Sequence, residues 1–264
     1  MKTIHLSISG FNIRIILGRA QTPFYKEKWI EDIRCHLGTY IMKETPIQID
    51  YTIKFTEKKI YPFRSKDEKK SKYISYMEDS GKCTITTFYI ISIAQLELIL
   101  MEIICRLFKN NPGFFIHSSV CRDKSNAFLF NGMEGAGKST IIKLLQPEYT
   151  TIADDSAIIR KIGNSYYVFQ TIHHEKKRNI IRTEKKFLLN KFFFLEKSTT
   201  CKIVKLDRKE EITHRLMSQI LIYFVEDKLS VKHLLKFISE YNNFYILYFP
   251  KNNTIKSFLR ILNQ

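Results

Sequence analysis

Eight consecutive residues, Gly132-Met133-Glu134-Gly135-Ala136-Gly137-Lys138-Ser139, fit the pattern Gly-x-x-x-x-Gly-Lys-Ser/Thr. Glycines at 132, 135 and 137 let the backbone enter torsions closed to other residues and turn successive amides inward, toward phosphate oxygens. Lys138 would place a compact positive charge on the β- and γ-phosphates, and the Ser139 hydroxyl is a hard oxygen ligand for Mg²⁺. Thr140 carries the run into a predicted helix, whose N-terminus adds its own attraction for anions. At average composition such an octapeptide arises by chance in roughly one chain of this length in a hundred. Here the whole chain holds only nine glycines, and three of them fall within these six positions, so an accidental turn is the weaker explanation.

Two further groups could act on a bound phosphate. Asp154 and Asp155 end the apolar run Thr150-Thr151-Ile152-Ala153, fifteen residues after Ser139. A strand-end aspartate at that distance from a phosphate loop serves the magnesium, and a second one beside it suggests one more task, because adjacent like charges favour a proton on one of the pair. That helps it take a proton from an attacking hydroxyl. Asp-Asp-Ser is also ordinary turn chemistry, so the pair gains its meaning from the loop upstream. His117 closes Phe114-Phe115-Ile116, and pairing of its strand with the strand before the loop would bring the imidazole back to the loop's mouth. There it could orient or polarise the acid.

These residues need elements to hold them. Phe114 to Val120 and Ala127 to Asn131 read as strands joined by a polar turn. A helix follows from Lys138 to Leu145, stopped by Pro147, and Tyr149 to Ala153 is the strand that delivers the aspartates. Ile158 to Ile162 and Tyr166 to Gln170 form a hairpin across Gly163-Asn164, and Phe192 to Leu195, Ile203 to Leu206 and Phe244 to Phe249 are further strands. Asp207 with Glu210 makes a capping box for a helix through about Phe224; Ser230 caps another over 231–241, and a last helix is expected over 254–262. Upstream, Thr3 to Ser7 and Phe11 to Leu17 flank the turn Ser9-Gly10, and the alternation Ile47, Ile49, Tyr51, Ile53, Phe55 is that of a half-buried strand. Residues 57–72 are a charged loop, Tyr73 to Tyr76 and Thr84 to Ile91 are strand candidates, and Gln95 to Phe108 is a helix apolar around most of its circumference. The expected organisation is a β-rich lobe at 1–92 and an α/β domain at 93–264.

Composition narrows the class. With 44% hydrophobic residues and 13% aromatics over 264 residues the chain is globular. No signal-peptide pattern opens it, and the most apolar stretch, Ile90 to Phe108, is broken by Gln95, Glu97, Glu102 and Arg106, so no membrane span is expected. Five scattered cysteines exclude a disulfide framework and a Cys-x-x-Cys motif, which points to a reducing cytoplasm. The formal charge of +17 suits an acidic partner, but 31 lysines against 12 arginines is also what an AT-rich genome writes on solvated surfaces. Charge alone therefore does not select nucleic acid as a partner.

His117 fifteen residues before Gly132, then GMEGAGKST, then IADD, resembles the HPr kinase/phosphorylase family, a branch of the phosphoenolpyruvate-carboxykinase-like P-loop proteins. The resemblance covers about residues 113–175. It implies a mixed-sheet P-loop domain with helices on the sheet faces, ATP and Mg²⁺ as cofactors, and phosphoryl transfer to a serine of a peptide or small protein. It maps the general base to Asp155, the assisting histidine to His117 and the loop lysine to Lys138. Gly132, Glu134, Gly135, Ala136, Gly137, Lys138, Ser139 and Thr140 would hold the nucleotide, and Ser139 with Asp154 the metal. The chain looks more similar to the small HPr-kinase-like proteins of modified-peptide biosynthesis. Many of those carry a Thr-Pro-Trp-His-like turn where this chain has Thr171-Ile172-His173-His174, making His174 a substrate-side candidate. Arg178, in the basic run Lys176, Lys177, Arg178 and Arg182, could clamp phosphate or an acidic substrate, or simply face solvent.

Departures are visible too. The Glu-Ile-Arg-Gly-Leu-Gly-like segment that helps hold the metal in the bifunctional HPr enzymes is missing after Tyr166, which leaves reverse phosphorolysis open and makes Asp154 the carboxylate for the metal. Glu134 stands where those enzymes usually have serine, and residues 1–92 show no likeness to theirs. Thymidylate-kinase loops also read Gly-x-Glu-Gly-Ala-Gly-Lys, but they open their chains and need a downstream Asp-Arg element absent here. The leading expectation is a serine kinase. A nucleotide-binding regulatory module without phosphotransfer, and ATP-dependent handling of nucleic acid, stand behind it; a homo-oligomer is compatible with all three.

Overall fold

The computed structural model describes residues 2–19, 23–57, 77–146, 148–172, 180–222 and 228–250. The chain divides into two units, Met1–Ile104 and Cys105–Gln264. Each carries a mixed sheet, and the described residues include five α-helices.

In the first unit β1 (Lys2–Ile8) and β2 (Phe11–Leu17) form the expected hairpin. Ser9 and Gly10 both have positive φ, 53° and 76°, as a two-residue turn that follows the strand twist requires. The next element, α1 (Pro23–Leu37), has no counterpart in the sequence expectations. Its buried face is Trp29, Ile30, Ile33 and Leu37, a stripe thinned by six charged residues between Lys26 and Arg34. β3 is Tyr51–Thr56, β4 Met77–Asp79 and β5 Thr84–Phe88; the order is β1-β2-β3-β5-β4, with β3 parallel to both neighbours. The strand expected from Ile47 starts only at Tyr51, and Ile47 lies fully exposed. α2 (Ile93–Leu107) matches expectation. The strand candidate at Tyr73 to Tyr76 and most of the charged loop lie outside the described residues.

The second unit runs β6 (Gly113–Ile116), β7 (Ser119–Asp123), β8 (Asn126–Asn131), α3 (Lys138–Leu145), β9 (Thr150–Ala153), β10 (Ala157–Ile162) and β11 (Ser165–Gln170). Then come β12 (Phe187–Lys197), β13 (Lys202–Lys205), α4 (Lys209–Met217), β14 (Ile220–Leu221), α5 (Lys228–Glu240) and β15 (Phe244–Phe249). The sheet order is β14-β6-β10-β11-β12-β8-β7-β9, with β15 and then β13 beside the C-terminal half of β12. Only β12 with β8 and β12 with β15 are parallel pairs.

Strand alternation sorts the core into two layers. Phe128 and Phe130 of β8 with Phe193 and Leu195 of β12 pack with Ile141, Ile142 and Leu145 of α3. Phe130 and Phe193 stack with ring planes 12° apart. Ala127, Leu129, Phe192 and Phe194 face the other way, into a cluster with Ile212 and Leu216 of α4 and Leu234, Phe237 and Ile238 of α5.

Four expectations need correction in this unit. The strand read as Phe114 to Val120 is two strands, broken at His117-Ser118. β12 is far longer than Phe192 to Leu195, because a register shift between Leu189 and Lys191 absorbs the polar pair Asn190-Lys191 and the ladder continues. α4 ends at Met217 rather than near Phe224, since Ile220 and Leu221 pair with Ile116 and Phe115; its N-cap is Arg208, without a side-chain cap bond, so Asp207 does not cap it. Ser230 is buried inside α5 rather than capping it. Pro147 and the helix expected over 254–262 lie outside the described residues. No helix among the described residues is long and apolar enough to cross a membrane.

A polar latch closes the end of α5. Glu240 accepts hydrogen bonds from Lys161 Nζ at 2.8 Å and from the Tyr166 hydroxyl at 2.5 Å. Lys161, and after it Tyr166, hold the Glu240 carboxyl below its ordinary range. A depressed folded-state pKa gives stability that is present above the ordinary carboxylate range and lost as pH falls through the folded value. Glu240→Gln should therefore lose less Tm than the wild type between pH 6 and pH 3, as read by thermal melts across that range. Equal acid-side slopes would mean the latch contributes nothing.

Candidate active site

Two stretches of chain create the site by switching neighbours at the same point. β6 pairs with β10 through Ile116 and Ala157, and β7 pairs with β9 through Val120 and Ala153, both antiparallel. The register is the same on either side, so His117, Ser118 and Ser119 lie across from Ser156, Asp155 and Asp154. The two stretches pair on either side of this gap, and within it side chains make hydrogen bonds. His117 N–H donates to the Gln219 carbonyl at 2.7 Å, and Asn131 Nδ2 donates to the His117 carbonyl at 2.9 Å. Ser119 Oγ donates to Asp154, 2.7 Å from Oδ1 and 3.0 Å from the main-chain oxygen.

The imidazole and the second aspartate meet here. His117 Nδ1 is 2.7 Å from the Asp155 carbonyl oxygen and 3.4 Å from its Oδ1. A carbonyl only accepts, so Nδ1 carries the proton and Nε2 is the basic nitrogen of the neutral ring. The two carboxylates differ sharply. Asp154 is buried and anchored by Ser119, whereas the Asp155 side chain is 75% exposed. One is held in place and the other faces solvent.

The loop after β8 starts beside this pair, because Asn131 is the last residue of that strand. Gly135 has φ 75° and Gly137 φ 106°, torsions an L side chain rarely adopts. At Gly137 a Cβ would also stand 2.8 Å from Cζ of Phe249, so the loop's exit is pressed against that ring. Within the loop Ala136 N–H closes a turn on the Met133 carbonyl at 3.1 Å. Lys138 folds back, its Nζ 2.6 Å from the Gly132 carbonyl and 3.4 Å from that of Met133. Burial lowers the Lys138 pKa; the negative charges of Asp155, Asp154 and Glu134 act in the opposite sense. The structure thus brings Lys138 into the field of all three acids. Ser139 and Thr140 sit half-buried in the first turn of α3.

Next to the loop opens a cleft of about 690 Å³, walled by residues 131–136, the end of β12 and α4. Arg215 spans it, bonded to Glu196 at 2.8 Å and Glu211 at 3.0 Å. Of the basic run, Arg182 donates to the Ile172 carbonyl at 2.8 Å, while His174 and Arg178 lie outside the described residues. Sequence reasoning missed Asn131, Ser119 and Gln219. For Asn131 a signal existed: a polar residue ending an otherwise apolar strand, here fully buried. Gln219 carried none, because its role depends on α4 ending early.

No group of three or more His, Cys, Asp or Glu among the described residues forms a protein-only metal cage. The chain was compared with known proteins. No curated protein matches it. The solved HPr(Ser) kinase/phosphatase from Coxiella burnetii is 13% identical over 56% of this chain and 93% of that one, with a TM-score of 0.32, too low to define either fold or chemistry here. The profile of the SynChlorMet cassette protein ScmC matches residues 82–233, which include every strand that borders the His117–Asp155 gap and the whole glycine loop. That span is more than half of the sequence, and the chain is a member of the SynChlorMet cassette protein ScmC family.

Proposed function

We propose that this protein is an ATP- and Mg²⁺-dependent kinase that transfers the γ-phosphoryl group to a serine hydroxyl of a peptide or small protein. The observation that carries the reading is the meeting of His117 with Asp155 at the root of the glycine loop, in the field of Lys138. The domain at 93–264 would do the chemistry, as a P-loop domain of the HPr kinase type. Its loop, from Gly132 to Thr140, would hold the triphosphate, with Lys138 leaving its carbonyl partners for the phosphate oxygens.

In the reaction the acceptor hydroxyl gives its proton to the Asp155 carboxylate while its oxygen bonds to the γ-phosphorus. The bond from that phosphorus to the bridging oxygen breaks, and ADP leaves with the electron pair. His117 positions Asp155 through its Nδ1–H. Ser139 and Asp154, an alcohol and a carboxylate, are hard oxygen donors that would hold a magnesium ion. When bound, that ion supplies neutralisation of charge on the β- and γ-phosphates. Ser119 keeps the Asp154 carboxylate oriented for it.

The test is incubation of the protein with γ-labelled ATP and serine-containing peptides, with phosphoserine read by mass spectrometry. Label on serine is expected. Tight nucleotide binding with neither transfer nor hydrolysis would show instead the regulatory module that binds without turnover.

A further inference from the structure

The first unit contains an open strand edge that the proposed reaction leaves unused. β1 is the outer strand of its sheet, and among the described residues only part of its outer side is covered. Ile41 bridges to Leu6, and Met42 N–H donates to the His5 carbonyl at 2.9 Å. Main-chain groups alternate sides along a strand, so Thr3, two residues from His5, also points its N–H and carbonyl outward. Past Met42 the covering chain bends away at Lys43 and Glu44. A groove of about 270 Å³ is left between Lys2–His5, α1 and residues 41–45.

The groove has an apolar floor and a basic rim. Ile4 and Ile30 are buried beneath it, while Lys2, Arg34 and Lys43 stand exposed around it and, among the described residues, Glu44 is the one acid that lines it. Charge by itself can be a guard against edge-to-edge aggregation. A guard needs no walls, however, and here α1 and residues 41–45 turn the edge into a trough about 13 Å long, at ~3.3 Å per residue. Such a trough fits one kind of partner: an extended chain that pairs with the Thr3 main chain and answers three cations with carboxylates.

We infer that the groove along Lys2–His5 docks an acidic peptide segment by strand addition, holding the substrate peptide of the kinase proposed above. The inference rests on that reading for its purpose, but binding can be measured without nucleotide. The probe is a fluorescein-labelled peptide of four Glu-Val repeats, titrated with the full chain by anisotropy. A Glu-Pro repeat keeps the charge but loses every second amide and, with proline φ fixed at about −65°, is held out of the extended strand. A Lys-Val repeat reverses the charge.

Glu-Val should bind at least tenfold more tightly than either control. Thr3→Pro removes an N–H that faces away from β2 and should weaken the probe at least fivefold. Arg34→Glu should do the same, and it carries the test if Thr3→Pro proves unfolded by circular dichroism. Lys202→Glu, in β13 of the other unit, should change nothing. Equal binding of Glu-Pro, or wild-type affinity in both groove variants, would reduce the effect to general attraction by a basic protein and overturn the assignment. So would tighter binding of an oligonucleotide, or self-association abolished by Thr3→Pro. Asp155→Asn should retain probe binding while losing transfer, so the docking and kinase readings fail separately.

Discussion

Asp155→Asn is expected to lower kcat for phosphoryl transfer by about 10³, the scale of a positioned general base, while nucleotide affinity stays within about twofold of wild type. The substitution keeps the shape of the side chain. It also keeps the main-chain oxygen that receives His117 Nδ1–H at 2.7 Å, so the imidazole has no cause to move. What disappears is the acceptor for the serine proton and one negative charge near Lys138. Loss of that charge can only favour phosphate at the loop, so any change in nucleotide Kd should be toward tighter binding. Single-turnover transfer measured beside fluorescent-nucleotide titration separates the two effects. A variant that keeps more than a tenth of wild-type kcat would remove Asp155 from the role of base.

The fold was legible where burial is periodic and illegible where neighbours decide. β1 and β2 could be read from alternation, α2 and β15 from long apolar runs between breakers, and α3 from the glycine loop before it and the proline after it. α1 escaped because its apolar stripe is narrow and heavily charged between the turns. The length of β12 escaped because Asn190-Lys191 looks like a terminus and is a shift in register inside a central strand.

At the site, the loop and the paired aspartates stand out in the sequence because the chemistry proposed for them requires specific residue types at fixed spacing. His117 was placed near the loop for a reason that proved incomplete. Its strand does not pair with β8; it ends at Ile116, and after a break at His117-Ser118 the chain continues as β7, which pairs with β8. That break leaves the main-chain groups at 117 to other partners, Asn131 at the end of β8 and Gln219 just after α4. For Gln219 no local pattern encodes such a partner. The two aspartates were likewise indistinguishable as letters, and the Ser119 bond is what makes one an anchor and leaves the other toward solvent.

Lys138→Met should abolish measurable transfer and weaken nucleotide binding by at least tenfold, because it removes the one cation that the loop itself supplies to the phosphates. The ammonium is held 2.6 Å from the Gly132 carbonyl, so the charge is already stationed at the loop before any phosphate arrives. Methionine fills the same volume without it, and the loss of a half-buried bond should leave Tm within a few degrees. The pH dependence makes the assignment specific. Burial lowers the Lys138 pKa below that of an ordinary lysine, so the protonated form that binds phosphate is lost on the alkaline side sooner than surface lysines lose theirs. Wild-type nucleotide affinity should therefore fall as pH rises toward the lysine range, while bound phosphate, by favouring the charged form, opposes that fall. In Lys138→Met the alkaline decline should vanish, leaving weak binding that is flat with pH. If the decline persists in the variant, some other group controls it, and the ammonium at 138 is not what the triphosphate meets.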